Sequence, residues 1–394
     1  MKSIIGFLGR GPYSPQNVRR QYWETRYQFP NQTSEPARFF LQAAMKWLAG
    51  TGQKLDRLIV LGTSGSMWDG MLEAFCEGNE GEDKSRVEEL CFRLVERVDN
   101  QLVTQEDLAP VAAELSRCLG IEVHATLIPA GKDENEQTDI LRAMQQFVQP
   151  QDEVYLDVTH GYRHQPMLAL GAAIFLTQVR GAKVRDILYG ANDMREQDGP
   201  APVVSLRWLL DLLDWANCAR QLRVGGALKS LPRVIDDVAL EKSLSEVAFM
   251  SSTNQVHQAG DKAKECSAAL SGASGDCLLD MMRPEIEQLL SDLAGCQRDP
   301  RGILSMAWSA WREQDFVRTS ILLMEAVTKH SAKLDTERAE EIKGLRDALC
   351  HAIRMPKNVS ERVQEAITRA LTSRTQMKKT QEKQLRWLDD QINR

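Results

Sequence analysis

The stretch EVYLDVTHGYRHQPMLALGAAIFLTQV, residues 153–179, joins two different hydrophobic patterns. EVYLDV (153–158) is a short apolar and aromatic run, which is typical of a buried strand. QPMLALGAAIFLTQV (165–179) has the length and composition of a packed helix. The polar residues between them therefore lie on a strand-to-helix turn. In an open α/β sheet, ligands bind at turns of this kind.

The same alternation of strand and helix extends over residues 1 to about 200. Alternation of this kind predicts parallel pairing and a doubly wound α/β sheet. The predicted strands are 3–9, 57–62, 121–129, 153–158 and 183–190, and the predicted helices are 36–49, 86–98, 138–148 and the segment after Pro166.

From about residue 205 onward, helical spacing replaces strand patterns, and an all-α region is expected. The clearest helical segments are 234–250, 284–295, 317–334 and 360–373. We therefore predict an α/β domain at 1–205, a connecting helix or linker at 206–230, and an α-helical domain at 231–394.

Composition and charge exclude some classes of protein. The 394 residues are 43% hydrophobic and 26% charged, and the net charge of −6 argues against a surface that is basic throughout. The net charge does not exclude a nucleic-acid-binding site on one part of the surface. No apolar run reaches the ~20 residues that span a bilayer. The start of the chain reads as a strand followed by a glycine turn, so we expect no signal peptide.

The eight cysteines are scattered and contain no C-x-x-C pair, which disfavours a zinc knuckle and a dense disulfide framework. We predict reduced, mostly buried thiols in a cytoplasmic protein. The cysteine positions are 76, 91, 118, 218, 266, 277, 296 and 350.

Three predicted strands end in polar turns that contain glycine: FLGRGPYS (7–14), VLGTSGSMWDG (60–70) and DVTHGYR (157–163). Glycine lets a ligand approach the main chain, and helix N-termini behind such turns suit phosphates. The turns therefore predict an anionic, nucleotide-like ligand. Neither a complete G-x-G-x-x-G fingerprint nor a P-loop is present. For the second turn, an ordinary structural role is an equal alternative.

The motif D-x-T-H-G-x-R at 157–163 resembles the Asp-x-Thr-His-Gly subgroup of CRISPR-associated Rossmann-like (CARF) sensor domains of type III CRISPR systems. L-G-x-G-x-Y at 8–13 and G-T-x-x-S-x-W-D at 62–69 are similar to the same subgroup. The resemblance covers roughly residues 1–200. It implies a cytoplasmic protein of antiviral defence whose α/β domain is Rossmann-like.

The resemblance implies a cyclic oligoadenylate ligand, with cyclic tetra-adenylate expected first and hexa-adenylate as the alternative. The ring would lie across the two-fold axis of a homodimer, which presents the same groups twice. Arg163 would face a phosphate, and Asp157 would hold its turn together. The implied ligand-binding residues are Gly9, Arg10, Gly11, Thr63, Ser64, Asp157, Thr159, His160, Gly161 and Arg163.

In the helical half, Arg346 precedes His351 by five residues on a predicted helix. Joined to a CARF-like half, this pair resembles the HEPN ribonucleases, whose signature is an arginine and a histidine separated by four to six residues. The resemblance implies a single-stranded RNA endoribonuclease that needs no metal or cofactor and leaves 2′,3′-cyclic phosphate and 5′-hydroxyl ends.

The chemistry of the pair fits this reaction. RNA carries its own nucleophile, so cleavage needs proton transfer by His351 and a fixed charge from Arg346. Asp347 stands where the family often has asparagine, and it could either orient His351 or repel RNA phosphate. Positions five apart lie ~140° apart around a helix, so a shared site would need a second chain or a helix that starts between them.

Two alternatives remain open from the sequence. The helical half could be inactive and act as a regulator or partner surface, or the sensor pocket itself could degrade its ring ligand.

Overall fold

The computed structural model describes residues 1–332 except 15–18, 21, 198, 226–227, 274–275, 296–299 and 313. It divides into two compact units, Met1–Leu210 and a second that begins at Asp211. This break falls inside the segment predicted to connect the domains. The predicted catalytic residues Arg346, Asp347 and His351 lie outside the described residues.

The first unit contains an eight-stranded sheet, a two-stranded hairpin and six helices within its described part. The strands are β1 (Lys2–Leu8), β2 (Tyr13–Ser14), β3 (Arg19–Arg20), β4 (Tyr27–Phe29), β5 (Gln32–Thr33), β6 (Arg57–Gly62), β7 (Glu122–Leu127), β8 (Glu153–Asp157), β9 (Lys183–Gly190) and β10 (Ala201–Ser205). The helices are α1 (Phe40–Gly50), α2 (Trp68–Phe75), α3 (Gly81–Asp99), α4 (Gln105–Leu119), α5 (Glu134–Gln145) and α6 (Gln165–Gln178), with a 3-10 turn at Asn192–Met194.

The large sheet has the order β5-β4-β10-β9-β8-β1-β6-β7. Its centre, from β9 to β7, is parallel throughout, which confirms the five strands and the parallel pairing predicted from the sequence. Strand β10 pairs antiparallel with β9 and extends the sheet towards β4 and β5. The sequence prediction omitted β4, β5 and β10 because two to five residues carry too little periodicity to be recognised.

The central strands are buried on both faces, as parallel strands covered by helices must be. In β1, Ile4 packs with the core that includes α1 to α4, whereas Ile5 packs with the core that includes α5 and α6. In β6, Leu58 packs with the first of these cores and Ile59 with the second. Successive side chains of a strand point to opposite faces, so these continuous apolar runs supply two separate cores.

Local capping groups set where several helices begin and end. The Thr104 backbone N–H donates to Asp107 Oδ2 over 2.7 Å at the start of α4, and Gly120 ends this helix with φ +66°. At α5, Asp133 Oδ1 accepts from the Glu136 N–H over 3.0 Å. These bonds satisfy amides that a helix terminus leaves without partners.

The structure corrects the prediction that all cysteines are reduced. Cys76, at the end of α2, and Cys118, near the end of α4, form a disulfide with their Cα atoms 5.7 Å apart. The two residues are 42 positions apart in sequence, so only the packing of the two helices reveals their proximity. The described free cysteines are Cys91, Cys218, Cys266 and Cys277, of which Cys277 is exposed.

The second unit is helical throughout its described part, as predicted. Its helices are α7 (Arg207–Gly225, which begins in the first unit), α8 (Val238–Ser252), α9 (Val256–Gly272), α10 (Cys277–Gly295), α11 (Pro300–Arg312) and α12 (Phe316–Ala332), with a 3-10 helix at Leu228–Val234. Their apolar faces meet in one core, to which Leu244, Cys266 and Leu290 contribute. Among the described helices, none has the combination of length and hydrophobicity that crossing a bilayer requires.

Candidate functional site

The candidate site lies where the strand order reverses. Among the five central strands, β6 and β7 follow β1 in the chain and lie on one side of it, whereas β8 and β9 come next and lie on its other side. The crevice beyond the carboxyl ends of β1 and β8 is therefore the topological switch point, where ligands bind in open α/β sheets. Leu8 pairs with Gly62, and Gly6 pairs with Asp157. This register brings the three glycine-containing turns to the same edge of the sheet.

The turns after β1 and β8 approach each other so closely that both need glycine. A Cβ atom on Gly9 would overlap Tyr22 Oη and lie only 2.9 Å from the Gly161 backbone nitrogen. Gly161 itself has φ +107°, and a Cβ there would overlap the Gln165 side chain. Left-handed backbone is accessible to glycine without steric cost. Gly9 and Gly161 are therefore both required where these two turns meet.

Tyr22 joins these two turns. Its hydroxyl accepts a hydrogen bond from the Gly11 N–H over 3.2 Å, and its ring lies 4.2 Å from the His160 ring. Burial raises the pKa of Tyr22 to about 12, so the hydroxyl stays protonated at neutral pH. The phenol thus supports the turn that holds Gly9, Arg10 and Gly11.

His160 is half-buried among aromatic rings, and its Nε2 accepts from the Phe40 N–H over 3.4 Å. Phe39 lies edge-on to the same imidazole, with 6.1 Å between the ring centroids. Burial lowers the pKa of His160 to about 4, so the ring is neutral near pH 7. The sequence predicted that His160 lines the ligand pocket; the structure gives its Nε2 an internal partner, which suits a role in supporting the turn.

Asp157 and Thr159 tie the third turn to β9. Asp157 Oδ1 accepts from the Thr159 N–H over 2.8 Å, and Thr159 Oγ1 accepts from the Gly190 N–H over 2.8 Å. Asp157 is fully buried, and its Oδ2 has no hydrogen-bond partner within the described structure. Burial raises the pKa of this carboxyl to about 7. Asp157 is placed to hold the turn, in keeping with its predicted role.

We expect the Asp157→Asn substitution to change how stability depends on pH. A carboxyl whose pKa is about 7 when folded and 3.8 when unfolded binds its proton more tightly in the folded state. The wild-type protein should therefore lose stability relative to Asp157→Asn as pH rises from 5 to 7, by up to about 2 kcal/mol. Thermal melts of both proteins at the two pH values measure this difference. His160 is present in both proteins, so its own titration cancels. An equal difference in melting temperature at both pH values would contradict the raised pKa.

The second turn is ordered by Ser66, which is buried. Its hydroxyl donates to the Leu8 carbonyl over 2.6 Å and accepts from the Thr63 N–H over 2.8 Å. The Trp68 indole N–H donates to the Thr63 carbonyl over 2.9 Å, and this ring is fully buried. These bonds hold Thr63 and the half-buried Ser64 beside the end of β1.

The two arginine residues of the site differ in whether their side chains already have hydrogen-bond partners. Arg163 is exposed and, among the described residues, has no hydrogen-bond or ion-pair partner. Arg10 is half-buried; its Nη2 donates to the Asp99 carbonyl over 3.2 Å, and its Nε is buried with no partner within the described structure. Arg163 is therefore available to an anion, whereas Arg10 is partly engaged by α3.

Sequence reasoning missed two residues that build the site. Tyr22 lies in RRQYWE (19–24), outside every motif, and no local signal indicates that it packs on His160. Gln165 is 2% exposed, and its Oε1 accepts from the Tyr162 N–H over 2.9 Å. The adjacent Pro166 marks the start of α6, which could have suggested a capping role for Gln165.

Comparison with known proteins agrees with this geometry. A family model described as the CARF domain of CRISPR system endoribonuclease Csx1 matches residues 3–193. This range contains all three glycine turns and, apart from Lys2, the five parallel strands at the centre of the large sheet.

A curated relative extends the similarity beyond this domain. CRISPR-associated protein MJ1674 of Methanocaldococcus jannaschii is 23% identical over 322 residues, which cover 78% of this chain and 50% of that protein. The chain thus spans about half the length of this relative. The match over residues 3–193 and the similarity to MJ1674 together support a CARF-containing protein of type III CRISPR systems.

Proposed function

We propose that this protein is a single-stranded RNA endoribonuclease of type III CRISPR antiviral defence that is activated by cyclic oligoadenylate. The observation that carries the proposal is the switch-point crevice, where Gly9 and Gly161 are so close that a Cβ on Gly9 would lie 2.9 Å from the Gly161 nitrogen, and where Arg163 has no partner among the described residues. The match to the CARF family model and the helical second unit support the same function.

The crevice suits a ring of adenylates better than a simple anion. Arg163 supplies charge for a phosphate, and the exposed Tyr162, whose ring stacks on His164, offers a face on which an adenine can lie. The His160 ring is neutral, and its Nε2 already accepts a hydrogen bond from the Phe40 N–H. It therefore adds no charge that would favour a small inorganic anion. Cyclic tetra-adenylate is the proposed ligand, with hexa-adenylate as the larger alternative.

A second copy of the chain would complete the ligand site. Helix α6 starts directly after the Gly161 turn, and its outer face carries the exposed Met167 and Gly171 and the half-buried Ile174. These positions follow the i, i+4, i+7 spacing of one helix face. An apolar face at the edge of the crevice favours a homodimer whose two-fold axis passes near the bound ring.

In the helical half, Arg346 and His351 would carry the cleavage chemistry. His351 would transfer the proton of the ribose 2′-hydroxyl, and Arg346 would stabilise charge on the phosphorane. This mechanism needs no metal or cofactor because the nucleophile belongs to the substrate. The products would be 2′,3′-cyclic phosphate and 5′-hydroxyl ends. Asp347, one turn before His351, would orient its ring.

Ring binding would activate the nuclease by favouring the dimer state in which the Arg346–His351 pairs of both copies meet. A ligand shifts such an equilibrium only by its difference in affinity for the two states. The ring must therefore bind the active state more tightly than the inactive one.

The direct test is cleavage of labelled single-stranded RNA by the full chain, with no ring, with tetra-adenylate and with hexa-adenylate. We expect one ring size to raise the cleavage rate by at least about tenfold, which corresponds to roughly 1.4 kcal/mol of apparent activation free energy. The chelator EDTA should not reduce the rate. A rate that is the same with and without either ring, or cleavage that EDTA abolishes, would contradict the proposal.

A further inference from the structure

The second unit contains an open cleft of about 340 Å³ between the 3-10 helix Leu228–Val234 and helix α8. Leu231 and Leu244 are fully buried and join these two elements below the surface. Asp237 caps α8 by accepting from the Ala239 and Leu240 N–H groups, each over 2.9 Å. The walls of the cleft therefore belong to capped, packed secondary structure.

Two cations on the 3-10 helix line the cleft and are free to bind. Lys229 and Arg233 are exposed, and neither has a hydrogen-bond or ion-pair partner in the part of the chain that the structure describes. Other arginine side chains of the described residues do pair with carboxylates, as Arg117 does with Glu114 and Asp83. A lysine and an arginine without a carboxylate partner at one cleft suit a phosphate.

The opposite wall is one face of α8. Glu241, Ser245 and Phe249 follow each other at intervals of four residues and all line the cleft. Phe249 is 62% exposed, so one face of its ring remains available. A single exposed aromatic residue needs no explanation. An aromatic ring in a cleft beside free cations is the combination that binds single-stranded nucleic acid, by stacking bases and holding phosphates.

Glu241 narrows the choice of ligand. Its carboxylate only accepts hydrogen bonds and would repel a phosphate placed against it. It can accept from an amino group on the edge of a nucleobase, as carboxylates do with cytosine N4. In an RNA duplex this amino group lies in a deep, narrow major groove that side chains cannot read, so the contact requires an unpaired base. A nucleotide in a single strand can bind both the cations of one wall and the Glu241 and Phe249 side chains of the other. A free phosphate can bind only the cations.

We propose that this cleft binds one nucleotide of single-stranded RNA, with its phosphate at Lys229 and Arg233, its base on Phe249 and an amino group at Glu241. The inference rests on the proposed function and deepens it, because it assigns part of the RNA path to residues 229–249. It also assigns a preference for bases with an exposed amino group, such as cytosine, over uracil.

The test measures fluorescence anisotropy of labelled oligocytidine and oligouridine RNA on the full chain. All proteins carry His351→Ala to prevent cleavage. Phe249→Ala should weaken binding of both RNAs roughly tenfold through lost stacking. Arg233→Gln should reduce the slope of log affinity against log salt by about 0.7, the value for one phosphate contact on a single strand. Glu241→Gln should reduce the preference for oligocytidine.

Lys242→Gln is the matched control, because Lys242 is exposed on the same helix but does not line the cleft. It should leave affinity and preference within about twofold of the parent, as expected for a surface charge outside a contact. If the cleft variants also bind RNA like the parent while the unmutated chain shows ring-stimulated cleavage, this inference fails and the proposed function stands. If only Arg233→Gln has an effect, the cleft is a general anion patch and the inference fails. If the chain neither binds nor cuts RNA, both fail.

Discussion

Replacing His351 with alanine is expected to reduce ring-stimulated RNA cleavage by a factor of about 10²–10⁴, the usual contribution of a positioned general acid or base. An imidazole titrates near neutral pH and can exchange a proton with the ribose hydroxyl, whereas a methyl group cannot. The measurement is the rate of cleavage of labelled single-stranded RNA under saturating ring. The affinity for the ring should not change, because the proposed ring site lies in the α/β unit and not beside His351.

The control for this variant is His257→Ala, which removes another histidine from the helical half, on α9. It should retain most of the cleavage rate. If His351→Ala cleaves RNA as fast as the unmutated chain, the assignment of the HEPN pair is wrong. If no ring-stimulated cleavage occurs in any of these proteins although the ring binds, the regulator alternative, with an inactive helical half, replaces the nuclease.

Gly161→Ala is expected to weaken ring binding by at least about tenfold, because the strain of roughly 1–3 kcal/mol on a non-glycine residue here is relieved only by displacing the turn that lines the proposed site. The new Cβ would overlap Gln165 Oε1 and lie 3.2 Å from Phe7 Cβ. Gln165 cannot move away without losing its bond to the Tyr162 N–H. The turn must therefore shift, and with it the backbone that lies beside Gly9. Calorimetric titration with cyclic tetra-adenylate and hexa-adenylate measures the loss.

Gly52→Ala is the matched control for strain alone. Gly52 has φ +79°, but a Cβ there would meet no atom within 4 Å. It precedes β6, so it lies at the opposite edge of the sheet from the crevice. This variant should lose thermal stability and keep its affinity for the ring. Gly161→Ala with unchanged ring affinity would show that the crevice is not the ligand site.

Much of the α/β fold was predictable because its signals are local. Each central strand is a continuous apolar run, as in RLIVLG (57–62), and each run ends at a glycine or polar turn. Helix α4 was not predicted, although Thr104 and Asp107 form its capping box and Gly120 ends it. Strand β10 was missed because its identity depends on pairing with β9, which is a tertiary contact.

Some residues of the site were also predictable because their signals are local in the sequence. Gly9, Gly161 and Arg163 are recognisable as turn residues at strand ends. The neutral state of His160 follows from the rings of Tyr22 and Phe39, which come from a different part of the chain. The Cys76–Cys118 bond likewise depends on how α2 and α4 meet. No sequence motif marks the cleft at Phe249, because it exists only where the 3-10 helix packs beside α8.

Hydrophobic periodicity and the positions of glycine act over a few residues, so the printed chain alone was enough to place the strands, the change to a helical half and the three polar turns. Strand order, and therefore the meeting of the first and third turns at the switch point, required the folded chain. Burial and long-range hydrogen bonds also depend on segments far apart in sequence. For this reason only the three-dimensional arrangement revealed the pKa of Asp157, the role of Tyr22 and the free cations beside α8.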